Sequence, residues 1–146
     1  MMRIDIISAV PDLLKSPLET SIIKRAQDKQ KVEIFVHNLR DYAYDKHKQI
    51  DDKPFAGGPG MLLKPEPLFE CIESLMSKNK YEHIIFTMPS GDKYDQKLAN
   101  KFSLANNIII VAGHYKGIDD RVREHFATDE VSIGNFILSG GELLAL

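Results

Sequence analysis

The sequence has no tryptophan and only one cysteine, Cys71. A single thiol excludes an internal disulfide framework and points to a reducing, cytoplasmic setting. Long apolar runs are missing too: nothing approaches the roughly 18 residues of a membrane-spanning helix. The start, Met1-Met2-Arg3-Ile4-Asp5, lacks the layout of a signal peptide. Nor is there an excess of one charge. The 19 basic and 21 acidic residues leave a net charge of −2, so no global positive field marks a nucleic-acid binder, although a local patch or a partner domain could supply one. Ile7-Ser8-Ala9-Val10-Pro11 stands where a G-x-G-x-x-G would follow the first strand, and no G-x-x-x-x-G-K-[ST] or G-x-S-x-G occurs. Those absences argue against a Rossmann dehydrogenase, a P-loop NTPase and a serine hydrolase. The five histidines and Cys71 are scattered without ligand spacing, so no metal site is expected.

What remains is 146 residues, 43% hydrophobic and 27% charged, enough for one domain with a core of its own. Met2 to Ser8 (MRIDIIS) is short, apolar and Ile-rich, and predicts a buried first strand. Ser16-Pro17-Leu18-Glu19 has the form of a capping box with proline in the first helical position, predicting a helix over 16–29. Val32 to Asn38 alternates as a second strand. Periodicity then vanishes over 39–64, a loop too long to be a mere connection. Helices are expected over 65–79, 92–105 and 118–126, and strands over 83–88, 107–112 and 130–133. Ser139-Gly140-Gly141-Glu142 reads as a further capping box. Strands alternating with helices predict an α/β domain, a mostly parallel sheet flanked by helices.

In such sheets ligands bind at the carboxyl ends of the strands. The loops expected there carry Pro89-Ser90-Gly91, then 113–117, then Gly134 with Gly140 and Gly141, six of the nine glycines. Glycine lets backbone approach a ligand closely, or simply makes a turn; three such loops on one edge favour a pocket. In the long loop, Asp51-Asp52 could accept hydrogen bonds from a guanine edge, and His47 between Lys46 and Lys48 could touch phosphate. Tyr42, Tyr44 and Phe55 could stack on bases. The same residues could equally form an ordinary solvated loop. Cys71, beside Ile72 on an apolar helix side, reads as inert core.

Three stretches, DDKPFAGGPGM (51–61), GHYKGIDDRV (113–122) and SIGNFILSGGE (132–142), occur in this order. With them the chain closely resembles the bacterial tRNA (guanine-N1)-methyltransferases of the knotted SPOUT class, from residue 1 to 146. The resemblance implies a C-terminal trefoil knot holding S-adenosyl-L-methionine, a tRNA substrate and a homodimer. It places cofactor contacts on Pro89, Gly91, Gly113, Tyr115, Gly117, Ile133, Gly134, Asn135, Phe136, Ile137, Leu138, Gly140 and Gly141. Contacts to the target guanine fall on Asp51, Pro59 and Gly60, with His47 nearby. The implied reaction moves a methyl group to N1 of the guanine 3′ of the anticodon, position 37. No catalytic residue is expected within the chain, because the family's general base lies beyond the position of Leu146, with a linker and a helical tRNA-binding domain. Lys116 stands where the best-known family members carry an acid, Ala56 replaces the first glycine of a three-glycine run and Asn135 stands where aspartate is common. A binding module without chemistry and a flavodoxin-like domain are the alternative readings.

Overall fold

Residues 1–43, 51–52, 62–113, 118–133 and 141–146 are described by the structure, a computed structural model; of 51–52, 62–63 and 143 only the backbone is described. Five strands form one sheet: β1 (Met2–Ser8), β2 (Val32–Asn38), β5 (His83–Lys93), β6 (Asn107–Ala112) and β7 (Asp129–Ser132). Their order is β2-β1-β6-β5-β7, and every pairing is parallel. The helices between successive strands make this possible, since parallel neighbours need crossover connections. Strand pairing of another kind appears inside the long loop, where β3 (Asp51–Asp52) and β4 (Leu62–Leu63) lie antiparallel. Period-two reading missed this pair because two residues are too few to show a period.

Both faces of the sheet are covered, so its central strands are mostly apolar on both sides. On one face Ile7, Phe86, Ile109 and Val111 meet Leu68 and Ile72 of α3 (Pro65–Met76) and Val122 of α5 (Asp120–Phe126). On the other, Ile85, Ile108 and Val131 meet Phe102 of α4 (Gln96–Ser103), with Leu98 and Leu144 against them. Full burial of a side chain such as Phe86 or Ile109 contributes about 1.5–3 kcal/mol. On that second face, toward β1 and β2, an apolar cavity of about 250 Å³ lies between Ile4, Ile6 and Ile34 of the sheet and Ile23 and Ala26. Leu146 also lines it.

The helix expected over 16–29 is two helices, α1 (Asp12–Leu18) and α2 (Ser21–Asp28). Ser16 is no cap and Pro17 sits in the last turn of α1. The break follows at Thr20, whose backbone is extended and whose hydroxyl donates back to the Ser16 carbonyl at 2.6 Å. Such back-bonding competes with helix continuation. A second correction concerns β5, expected to stop at Met88. It runs on to Lys93, and α4 is correspondingly shorter than 92–105. Past Pro89 the strand resumes its pairing, and the Tyr94 N–H donates to the Ser132 carbonyl at 2.7 Å.

Candidate functional site

The continuation of β5 is not smooth. Thr87 and Asp92 both pair with Val131 of β7, so the four residues between them bulge out of the ladder. The bulge holds Pro89, exposed, and Gly91, half-buried. A Cβ at Gly91 would lie 2.6 Å from the Glu130 carbonyl carbon and from the Val131 nitrogen, so only glycine lets the strand turn back this close to β7. Arg123 of α5 braces the bulge from behind. It pairs with Asp120 at 2.7 Å and Glu130 at 3.1 Å, with Met88 Sδ 3.9 Å from its guanidinium.

Thr87 itself is buried and is the last paired residue before the bulge. Its Oγ1–H donates to the Val111 carbonyl at 3.1 Å, and Oγ1 accepts the Gly113 N–H at 3.0 Å. The chain's last segment returns to the same spot. The Gly141 N–H donates to the Gly113 carbonyl at 2.6 Å, and a Cβ at Gly141 would stand 1.9 Å from Thr87 Oγ1. At Gly113 an added Cβ would come within 2.6 Å of the Thr87 carbonyl oxygen. Three segments distant in sequence thus meet at one hydroxyl, on the carboxyl edge of the sheet.

Helix α6 (Glu142–Ala145) starts directly after this contact. Glu142 was expected at the third position of a capping box. It is the first helical residue instead, Gly141 makes no side-chain cap, and Ser139 lies outside the described residues. The Glu142 carboxylate is buried, and its Oε1 accepts the Ser8 hydroxyl at 2.8 Å. Ser8 Oγ in turn accepts the Val10 N–H at 3.0 Å.

Of the sequence-derived positions, Gly113 and Gly141 touch, Gly91 packs on the β7 backbone, and Ile133 follows β7 with its side chain partly exposed. Tyr115, Gly117, Gly134, Asn135, Phe136, Ile137, Leu138 and Gly140 lie outside the described residues, as do His47, Pro59 and Gly60. Asp51 pairs with Leu63 across β3 and β4, which bracket the stretch holding Pro59 and Gly60. Sequence reasoning missed Ser8, Thr87 and Glu142. The available signal was a polar residue directly after each of two apolar runs, Thr87 after IIF and Ser8 after II, and an acid directly after a glycine pair.

A second polar cluster stands away from this edge. Asp5, fully buried, accepts from Arg3 at 2.8 and 3.1 Å, from Tyr81 Oη at 2.7 Å and from His37 Nε2 at 2.8 Å. Burial opposes its charge, but the hydrogen bonds from His37, Arg3 and Tyr81 together outweigh that and hold the carboxyl at about 2. Burial first, then the bond to Asp5, pushes the Tyr81 phenol up to about 12. With Asp5 ionised and held on all sides, the cluster ties β1 to β2 and to the segment before β5. Cys71 is buried and its thiol is pushed up to about 12 by desolvation, so it stays protonated and unreactive. Among the described residues no group of His, Cys, Asp and Glu could hold a metal ion, and no helix is long and apolar enough to cross a membrane.

Residues 2–146 match the family model described as tRNA (Guanine-1)-methyltransferase TrmD. A tRNA (guanine-N(1)-)-methyltransferase of Flavobacterium psychrophilum is 54% identical over 145 residues, 99% of this chain and 64% of the relative. That of Christiangramia forsetii is 56% identical over 142 residues, 97% of this chain and 63% of the relative. The crystal structure of the tRNA (m1G37) methyltransferase from Aquifex aeolicus superposes with a TM-score of 0.89 at 38% identity, over 99% of this chain and 65% of that one. The chain therefore spans about 64% of the length of the curated relatives it matches. Over that span the agreement is continuous in sequence and in fold, and the chain belongs to the TrmD family of tRNA (guanine-1)-methyltransferases.

Proposed function

We propose that residues 1–146 form the S-adenosyl-L-methionine-binding domain of a tRNA (guanine-N1)-methyltransferase acting on the guanine 3′ of the anticodon, position 37. The match to relatives of that name along nearly the whole chain carries the reading. The carboxyl-edge cradle supports it physically. Gly91, Gly113 and Gly141 leave no Cβ between the meeting backbones, and such an edge suits a ligand read by backbone N–H and C=O groups. S-adenosyl-L-methionine, when bound, supplies a methyl group activated by its sulfonium.

In this reading the bulge at Pro89 and Gly91, the residues Gly113, Tyr115 and Gly117, and the stretch from Ile133 to Gly141 hold the donor. Asp51, Pro59 and Gly60 hold the guanine, with His47 toward the RNA backbone. A guanine presented this way must leave its loop stack, at a cost of a few kcal/mol. Holding acceptor and donor in line is the chain's main contribution. The N1 proton must go to a base, which we assign to the part of the relatives' length that this chain does not span. A trefoil knot around the edge, a homodimer with tRNA shared between subunits and a cytoplasmic setting complete the proposal.

Calorimetric titration of the 146-residue chain with S-adenosylhomocysteine should give saturable binding at one site per chain. A methyl-transfer assay on unmodified tRNA should give no turnover. Absence of binding overturns the donor-binding assignment. Turnover at the rate of full-length relatives overturns the placement of the base, and RNA binding without S-adenosylhomocysteine binding favours a non-catalytic module.

A further inference from the structure

Glu142 is a buried carboxylate that the proposed reaction does not use. Burying a carboxylate is unfavourable unless hydrogen bonds compensate, so its position on the rim calls for a reason. Its Oε1 accepts from Ser8, the last residue of β1, across 134 residues of sequence. Directly before it stands Gly141, seated on Thr87 Oγ1 and bonded to the Gly113 carbonyl. Moving Glu142 therefore moves Gly141, and with it Gly113, the residue directly after β6. Val10 N–H, Ser8 hydroxyl and Glu142 carboxylate form one hydrogen-bonded line from the first strand to the last helix. Thr87 forms a second line through Gly113 to Gly141.

We propose that Glu142 is a positioning residue: its hydrogen bond with Ser8 clamps Gly141 onto Thr87 and Gly113 and so sets the shape of the methyl-donor pocket. The inference rests on the donor-pocket reading for its consequence, and on the Ser8–Glu142 bond for its cause. Glu142→Gln keeps an acceptor oxygen at the same place. Glu142→Leu keeps the bulk and removes it. Ser8→Ala removes the donor to Glu142 together with the acceptor of the Val10 N–H.

Two readouts separate the inference from the reading it rests on. The first is amide hydrogen exchange without ligand. In Glu142→Leu and in Ser8→Ala the amides of Gly113 and Gly141 should lose protection by about tenfold or more, the size of one lost hydrogen bond to a buried charge. The amide of Ile109, mid-sheet, should change little, and Glu142→Gln should behave as the unsubstituted chain. The second is S-adenosylhomocysteine titration, where the same two variants should bind at least about tenfold more weakly and Glu142→Gln within about threefold. Equal loss at Ile109 and at the two glycines would mean a general structural role and overturn the inference. So would Gly113 and Gly141 amides in Ser8→Ala as protected as before, which decides the matter even if Glu142→Leu fails to fold. If the unsubstituted chain binds no S-adenosylhomocysteine, the donor-pocket reading fails, while the exchange pattern still tests the clamp.

Discussion

A methyl group at position 141 would stand 1.9 Å from the Thr87 hydroxyl and 2.8 Å from the Gly113 nitrogen, neither of which is a flexible chain end. Gly141→Ala should therefore destabilise the chain by roughly 1–3 kcal/mol, as overpacking does, read as a lower midpoint in chemical denaturation; an unchanged midpoint would refute the close approach. Thr87→Val keeps the shape but strips a partner from the half-buried Gly113 N–H and the buried Val111 carbonyl, and should destabilise by about 1–3 kcal/mol. Thr87→Ser should recover most of that loss. Composition and strand order in sequence were enough to put Gly91, Gly113 and Gly141 at one edge. Their reason was not legible. Each is glycine because the protein's own backbone comes too close for a Cβ, a fact that depends on residues 26 to 54 positions away. Ser8 and Glu142 were invisible for the same cause: neither residue type nor local spacing announces a partner 134 residues off.

At the scale of elements, the end of α2 shows a pattern that sequence alone obscured. The Lys31 N–H donates to the Ala26 carbonyl at 2.9 Å and the Gln30 N–H to the Gln27 carbonyl at 3.0 Å, a Schellman motif, with Gln30 at φ 57°. Glycine is the residue such a position favours, and glutamine conceals it. Gln30→Gly should stabilise the chain by about 0.5–1 kcal/mol, visible as a raised denaturation midpoint; a lower midpoint would argue against the left-handed backbone there. Strands were the legible elements, because β1, β2 and β6 are short, Ile- and Val-rich runs whose ends match the expected ones. Helix α2 and strand β5 were less so. Pro17 looked like a helix start and lies in a last turn, while Pro89 looked like a strand end and lies in a bulge that the ladder resumes beyond. Both readings took proline as an element boundary, and local and tertiary hydrogen bonding placed the boundary elsewhere.

For the molecule as a whole, alternation of strands and helices was sufficient for a parallel sheet, but not for the order β2-β1-β6-β5-β7, which is set by long-range packing of two apolar faces. Whole-chain stability also carries a pH signature through Asp5. Its carboxyl falls from an ordinary value of 3.8 to about 2 in the folded state. A depressed folded value adds stability above the unfolded value and loses it as pH drops through the folded one, so about 2 kcal/mol should vanish between pH 4 and pH 2. Asp5→Asn should unfold more easily at pH 7 by a similar or larger amount and show a flatter acid limb. An acid limb identical to that of the unsubstituted chain would show that Asp5 does not set it. The Ser8–Glu142 bond has one more consequence, which concerns time. Synthesis delivers β1 well before α6, so Ser8 waits for 134 further residues before its partner exists. Contacts of such separation close late in folding. The sheet should form ahead of its own rim, with the edge that carries the pocket the final part of the chain to settle, and refolding followed by pulsed exchange should find the Gly113 and Gly141 amides protected after those of β1 and β6.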